Sequence, residues 1–288
     1  MTSRIIYGAR ETRSARWIPR VSLKAALIAG AVMVILGAGA VALRLPALQV
    51  RDITITGLAT VDEEHMRSAI AEGIGGYRFL LFPRSSYFLA DTDELAIVLG
   101  RAFPAISALR IEKTFPRTLA VAVTERQFWG IMCNNLDEKI VSQEEDKYPA
   151  EIPQCIALDT TGFAYESAPR PQGNLILILE TDRATLTVGE QHIELSLMER
   201  LQMLRVGIKQ ATGQEVTLFA LRERAPSEIH AGVADGFAIY FRRDDDFANA
   251  FRVLKKVLDA EIGSRRANLA YIDVRFGNKV FYKFRSNE

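Results

Sequence analysis

The spacing of apolar and polar residues changes character along this chain, and each change predicts a different element. Residues 25–43 read AALIAGAVMVILGAGAVAL, nineteen positions without a charge, bounded by Lys24 and Arg44. Nineteen helical residues at about 1.5 Å each reach roughly 28 Å, close to the hydrocarbon thickness of a bilayer. This stretch therefore predicts a membrane-spanning helix. From residue 49 the period becomes two: Val50, Ile53 and Ile55 alternate with polar neighbours until Gly57, which predicts a strand. Thr60 or Asp62 then caps a helix whose apolar stripe is Met66, Ala69 and Ile70, with acids suited to its first turn. The glycines from Gly73 to Gly76 end it. They follow a helix rather than joining a strand to one, so they do not form a phosphate cradle. An apolar loop, residues 79–83, leads to a second short helix capped by Asp91 or Thr92 and running to about Gly100. Strands at 106–113 and 118–124 flank a turn at Phe115-Pro116-Arg117. The order strand, helix, helix, strand, strand predicts a small α+β module with both helices on one face of a three-stranded sheet.

The remainder is richer in strands. Residues 156–159 and 162–165 flank Thr160-Thr161 and predict a hairpin. Short strands are expected at 175–179 and 185–188. Residues 193–212 carry Leu197, Leu201, Leu204 and Ile208 at helical spacing. Strands follow at 215–221, 228–231 and 237–241. A second helix is expected over 246–262, with Phe247, Phe251, Leu254 and Leu258 as its stripe. The last segment, AYIDVRFGNKVFYKF (270–284), predicts two strands joined at Gly277-Asn278. The fold class is therefore α+β: an N-terminal transmembrane helix, a β-α-α-β-β module, then a mixed, mainly antiparallel β domain with two amphipathic helices.

Charge adds a direction. Arg4, Arg10, Arg13, Arg16, Arg20 and Lys24 precede the apolar stretch against one acid, Glu11. Flanks rich in Lys and Arg stay in the cytoplasm, so the N-terminus is expected inside and the bulk outside. Ala40-Val41-Ala42 resembles a signal cleavage site, but the apolar run exceeds the usual signal core, which favours a retained anchor. The formal net charge of +1 gives no global pull toward nucleic acid. Two cysteines, Cys133 and Cys155, border strand-like runs around an acidic loop. In an exported domain they are candidates for a disulfide, which in the chain-entropy model contributes about 3 kcal/mol.

Catalytic groups do not assemble. His65, His192 and His230 fall on a helix, in a loop and in a strand, with no second histidine or carboxylate at metal-ligand spacing. No GxSxG elbow or SxxK pair occurs. Asp159 and Asp273 sit beside strands, and Asp273 with Arg275 reads as a structural ion pair rather than an active-site acid. No catalytic, cofactor-binding or metal-binding residue is assigned, and the chain is not expected to be an enzyme.

Several segments together resemble a known family. After a basic tail and one span, VRDITITGLATVDEEHMRSAI is similar to the start of a POTRA module. IEKTFPRTLAVAVTERQFWG resembles its closing strands, with the aromatic-Pro-Arg-Thr-Leu turn at Phe115 to Leu119 and Glu-Arg at Glu125-Arg126. LDTTGFAYE resembles the hairpin opening the next domain, and YIDVRFGNKVFYKF its closing strand pair. In this order they resemble the bacterial cell-division family FtsQ/DivIB over residues 20–284. The segment from Cys133 to Cys155 departs from the family in its length and its flanking cysteines.

The resemblance implies four regions: a cytoplasmic tail (1–24), a transmembrane helix (25–43), a POTRA domain (49–125) and a β domain (126–284). It implies a non-enzymatic scaffold in the cytoplasmic membrane at the division septum. Its partners would be small single-pass coiled-coil division proteins and the septal wall-synthesis machinery, without nucleic acid. On composition alone, Lys279-Val280-Phe281-Tyr282-Lys283-Phe284 is a solvated edge strand whose lysines discourage pairing. The resemblance makes the same six residues the partner-binding edge, used by strand addition. It also points, more loosely, to residues 106–110 with helix 92–99 as a second docking groove. The competing expectations are a POTRA-type receptor for polypeptide export or outer-membrane assembly, and a tethered extracytoplasmic enzyme. A receptor of that kind carries a β-barrel, for which this chain has too few long regular strands.

Overall fold

The continuous apolar run forms helix α1 (Leu23–Ala42), capped by Ser22, whose hydroxyl accepts from the Ala25 amide at 3.3 Å. The structure is a computed structural model that describes residues 22–78, 82–134 and 154–285. The tail before residue 22, most of the apolar loop at 79–83, and the acidic loop holding Glu144-Glu145-Asp146 lie outside the described residues. None of the most apolar window of α1 is buried by the rest of the chain, and among the described residues it is the one helix long and apolar enough to cross a membrane.

A short 3-10 turn (Pro46–Leu48) leads into a mixed three-stranded sheet. Strand β1 (Asp52–Thr56) pairs in parallel with β5 (Thr118–Glu125), and β5 pairs antiparallel with β4 (Ile106–Thr114). Helices α2 (Glu63–Gly73) and α3 (Thr92–Ala102) cover one face. Asp62, not Thr60, caps α2 by accepting from the His65 amide at 2.9 Å, and Asp91 caps α3. Met66, Ile70, Leu95 and Leu99 pack on Leu119, Val121 and Val123. A two-residue ladder of β2 (Tyr77–Arg78) with β3 (Phe82–Pro83) replaces part of the expected loop.

The rest forms one nine-stranded sheet. From one edge to the other it runs β14 (Lys279–Phe284), β13 (Leu269–Phe276), β12 (Ala238–Arg242), β11 (Glu228–Val233), β10 (Val216–Leu221), β9 (Ile178–Thr181), β6 (Phe128–Asn134), β7 (Cys155–Asp159) and β8 (Ala164–Ala168). The pairs β12–β13, β9–β10 and β6–β9 are parallel and the others antiparallel. Helices α4 (Leu195–Thr212) and α5 (Phe247–Val257) bury Leu201, Leu204, Ile208 and Leu254 on one face, against Phe219, Ile239 and Phe241. Gly207 makes this packing possible: a Cβ there would lie 2.0 Å from the Phe251 ring. Cys133 and Cys155 face each other across β6 and β7 and form a disulfide in a small cluster with Ile131, separate from the helix-covered core.

Three expectations differ from this. Residues 185–188 are not a strand. Leu186 is buried without a ladder, its amide held by the Gln154 side chain at 3.2 Å. The strand expected at 175–179 begins only at Ile178, while Leu175 is almost wholly exposed. The helix expected over 246–262 ends at Val257 and continues as a π turn (Leu258–Ile262) and a 3-10 turn (Gly263–Asn268). Strand β6 carries no period-two signal, because nearly every residue in it is buried.

Glu125, the last residue of β5, and Arg126, which follows it, have opposite tasks. The Glu125 carboxylate accepts from the amides of Ala59 (2.7 Å), Thr60 (2.9 Å) and Val61 (3.0 Å) and from the Thr60 hydroxyl (2.6 Å), so it holds the β1–α2 loop. Burial pushes its pKa up, but the bonds from Ala59, Thr60 and Val61 outweigh this and hold it at about 2. Arg126 reaches the other way. Its Nε donates to Pro104 O at 2.9 Å, its Nη1 donates to Asp159 at 2.6 Å, and its guanidinium lies 3.7 Å over the Phe163 ring.

Because the folded-state pKa of Glu125 is depressed, its contribution is complete above the unfolded value near 4.5 and is lost as pH falls toward 2. The urea midpoint of the wild type should therefore fall more steeply between about pH 5 and pH 2.5 than that of Glu125→Gln. Parallel curves would show that the carboxylate does not hold the loop.

Candidate interaction surface at the last strand

Strand β14 lies at an edge of the nine-stranded sheet, and among the described residues β13 is its only strand neighbour. The turn at Gly277, with φ of 67°, returns the chain antiparallel to β13. The two irregularities in this pair insert their extra residues in β13, so β14 itself alternates regularly. The Arg285 amide donates to Asn268 O at 2.8 Å. By alternation, the backbone N–H and C=O groups of Lys283, Phe281 and Lys279 face β13. Those of Phe284, Tyr282 and Val280 face outward. The outward set is the template an added strand needs.

The side chains divide the same way. Val280 and Phe284 pack partly against the helix-covered core. Tyr282 shares their face and remains 37% exposed, while Phe281, on the opposite face, is 53% exposed. Beside the strand, Val280 and Tyr282 form one wall of a groove of about 650 Å³. The other wall comes from α5 and the π turn: Val253, Val257 and Ala260, with Arg252, Lys256 and Glu261 among its charged residues. This mixture of apolar and charged lining residues suits the mixed face of an amphipathic helix or strand.

On the sheet face away from the helices, a polar ladder runs inward from this edge. Asp273, the register partner of Phe281, is buried. Arg275 grips it in bidentate fashion, Nε to Oδ1 at 2.9 Å and Nη2 to Oδ2 at 2.7 Å, and also pairs with Glu228. His230 lies 3.1 Å from Glu228 and stacks on Tyr240, which stacks on Tyr271. Burial raises the Asp273 pKa, but the bonds from Arg275 outweigh it and hold the carboxyl below the usual range. The bond to Asp273 in turn raises the Arg275 pKa. This is the ion pair expected from sequence. Its partners are fully engaged with one another. The aromatic stack beside it has no signal in the residue pattern, because Glu228, Tyr240 and Arg275 converge only through strand order.

Asp159 is likewise committed, to Arg126, to the Thr161 amide and hydroxyl, and to the Phe163 amide. His65 packs edge-on to Phe103, and His192 contacts Thr187 O at 2.7 Å, so the histidines do not converge. Among the described residues no group of three His, Cys, Asp or Glu side chains is placed to hold a metal ion. No family model matches the chain, and no curated protein shows significant similarity to it.

Asp273→Ala takes away the bidentate partner of Arg275 and leaves it with Glu228, so it should lower unfolding free energy by about 2 kcal/mol, the cost of losing hydrogen bonds between charged groups. Arg110→Ala breaks the exposed Arg110–Glu112 pair and should cost less than about 1 kcal/mol. Urea titration of both variants tests this, and equal effects would mean that Asp273 is not held as described.

Proposed function

We propose that this chain is a non-enzymatic membrane scaffold of the FtsQ/DivIB type. In this reading α1 anchors it in the cytoplasmic membrane with the N-terminus inside, and both sheets stand outside. The three-stranded unit is the POTRA module, and the nine-stranded sheet is the docking domain. The carrying observation is the edge strand Lys279–Phe284, whose outward N–H and C=O groups at Val280, Tyr282 and Phe284 run beside a groove of mixed apolar and charged side chains. A small single-pass coiled-coil division subunit adds a strand here and lays a helix across the groove. Lys279 and Lys283 favour an acidic partner segment and discourage indiscriminate pairing. Septal wall synthesis is regulated through that assembly. Further support is the β1-β5-β4 sheet with both helices on one face, the layout expected of such a module.

Strand β4 is also an edge, with α3 packed beside it, so residues 106–110 and helix 92–99 are the second docking surface in the same reading, and a POTRA-type receptor for polypeptide export is the alternative.

Val280→Pro removes an outward donor without touching the β13 ladder. It should abolish capture of the coiled-coil subunits by the detergent-solubilised full chain, as should Phe281→Glu and Tyr282→Glu, with each variant still folded by circular dichroism. A fluorescent fusion of the wild type should mark the division plane. Undiminished capture by all three variants would falsify the edge mechanism, and a uniformly peripheral fusion in dividing cells would turn the choice toward the receptor.

A further inference from the structure

We propose that the first domain carries a lipid-contact pole: the aromatic cluster Tyr87, Phe88 and Phe115 seats in the headgroup region of the bilayer crossed by α1. This rests on α1 being a retained span. The cluster is contiguous. Tyr87 meets Phe88 edge-on at 5.5 Å and Phe115 edge-on at 5.7 Å. Phe88 is 59% exposed and Phe115 is 66% exposed, a cost in water that no element among the described residues relieves.

The occupant follows from chain connectivity. Leu48 lies six residue steps beyond Ala42, the end of α1. They reach at most about 21 Å when extended, and the 3-10 turn at Pro46–Leu48 shortens that reach. The segment is itself apolar except for Arg44, with Leu45 exposed. It is then pinned to the aromatic pole. The Tyr87 amide donates to Leu48 O at 2.8 Å, the Val50 amide to Ser85 O at 2.7 Å, and the Arg51 amide to Arg117 O at 3.0 Å, two residues beyond Phe115. The pole therefore cannot move far from the point where the chain leaves the hydrocarbon.

The chemistry matches that depth. Aromatic rings concentrate at the membrane–water boundary, where an apolar body meets a wet layer. Lys113 lies 5.6 Å over the Tyr87 ring, and Arg117 sits beside the same turn, paired with Asp52 at 2.8 Å. These cations suit the phosphate layer of anionic lipids. The seat would fix the tilt of the domain, and hence the direction in which the distant edge strand faces.

Spin labels test the depth. The native disulfide leaves no free thiol among the described residues, so single cysteines at Phe88, Phe115, Ile35 and Arg205 can be labelled in the full chain. The protein is placed in nanodiscs of phosphatidylethanolamine and phosphatidylglycerol. The ratio of relaxation enhancement by oxygen to that by a water-soluble nickel chelate should be several-fold higher at positions 88 and 115 than at Arg205, half-exposed on α4, and highest at Ile35. A membrane-like ratio at Ile35 with water-like ratios at 88 and 115 overturns the pole and leaves the span intact. A water-like ratio at Ile35 overturns both. Low accessibility to both reagents at 88 and 115 means a protein surface covers them, and also refutes the lipid contact.

Discussion

Arg126 is the joint on which the arrangement of the two sheets depends. Its side chain touches Pro104, at the entry to β4, and Asp159 and Phe163, in the first hairpin of the large sheet. Its own amide donates to Ala105 O at 2.8 Å. The pair it forms with Asp159 is mostly shielded from solvent, with the two side chains 16% and 4% exposed. Exposed pairs elsewhere on this chain contribute little, because water screens them. A shielded pair is different: each charge was taken out of water for the other, so losing one strands its partner. The carboxylate has further donors in Thr161 and Phe163, which is what makes its burial tolerable. Glu125, one residue earlier, holds the β1–α2 loop, so a two-residue step at the end of β5 ties a loop of the first unit and the first turn of the second.

That joint matters because the proposed docking edge lies at the far side of a nine-stranded sheet from β8. A sheet of this width transmits position well when each strand is buried by a covering layer, and here α4 and α5 cover one face over the central strands. The edge strand is the exception. Its ladder is satisfied on one side only, and its side chains are half in water. The same features that make an edge strand prone to indiscriminate pairing make it a selective binding site once charges and a groove are added beside it.

In the proposed reading, membrane anchoring changes the strength required of such a site. Two chains held in one bilayer meet at an effective concentration set by their linkers, so a modest strand-addition interface suffices. A domain seated on the lipid surface by Tyr87, Phe88 and Phe115 would restrict orientation as well as distance. The short connection between α1 and β1, with only a 3-10 turn in it, agrees with a rigid stalk more than a flexible tether.

Much of this molecule was legible in its residues. The uncharged stretch from Ala25 to Leu43 announces α1 by length alone, and the candidate caps Thr60 or Asp62 and Asp91 or Thr92 announce two helix starts by local chemistry, of which the structure uses Asp62 and Asp91. The period-two strands and the Gly277-Asn278 turn were equally plain, because these are short-range properties of neighbouring side chains. Where burial covers both faces, as in β6, or where alternation orients a single leucine without a ladder, as at Leu186, the pattern misleads. Only the tertiary structure decided that β9 lies between β10 and β6, that Arg275 meets Glu228 as well as Asp273, and that Arg126 crosses to Asp159. Strand order is set by which long-range pairings bury the most apolar surface together, and no local window of the chain contains that information.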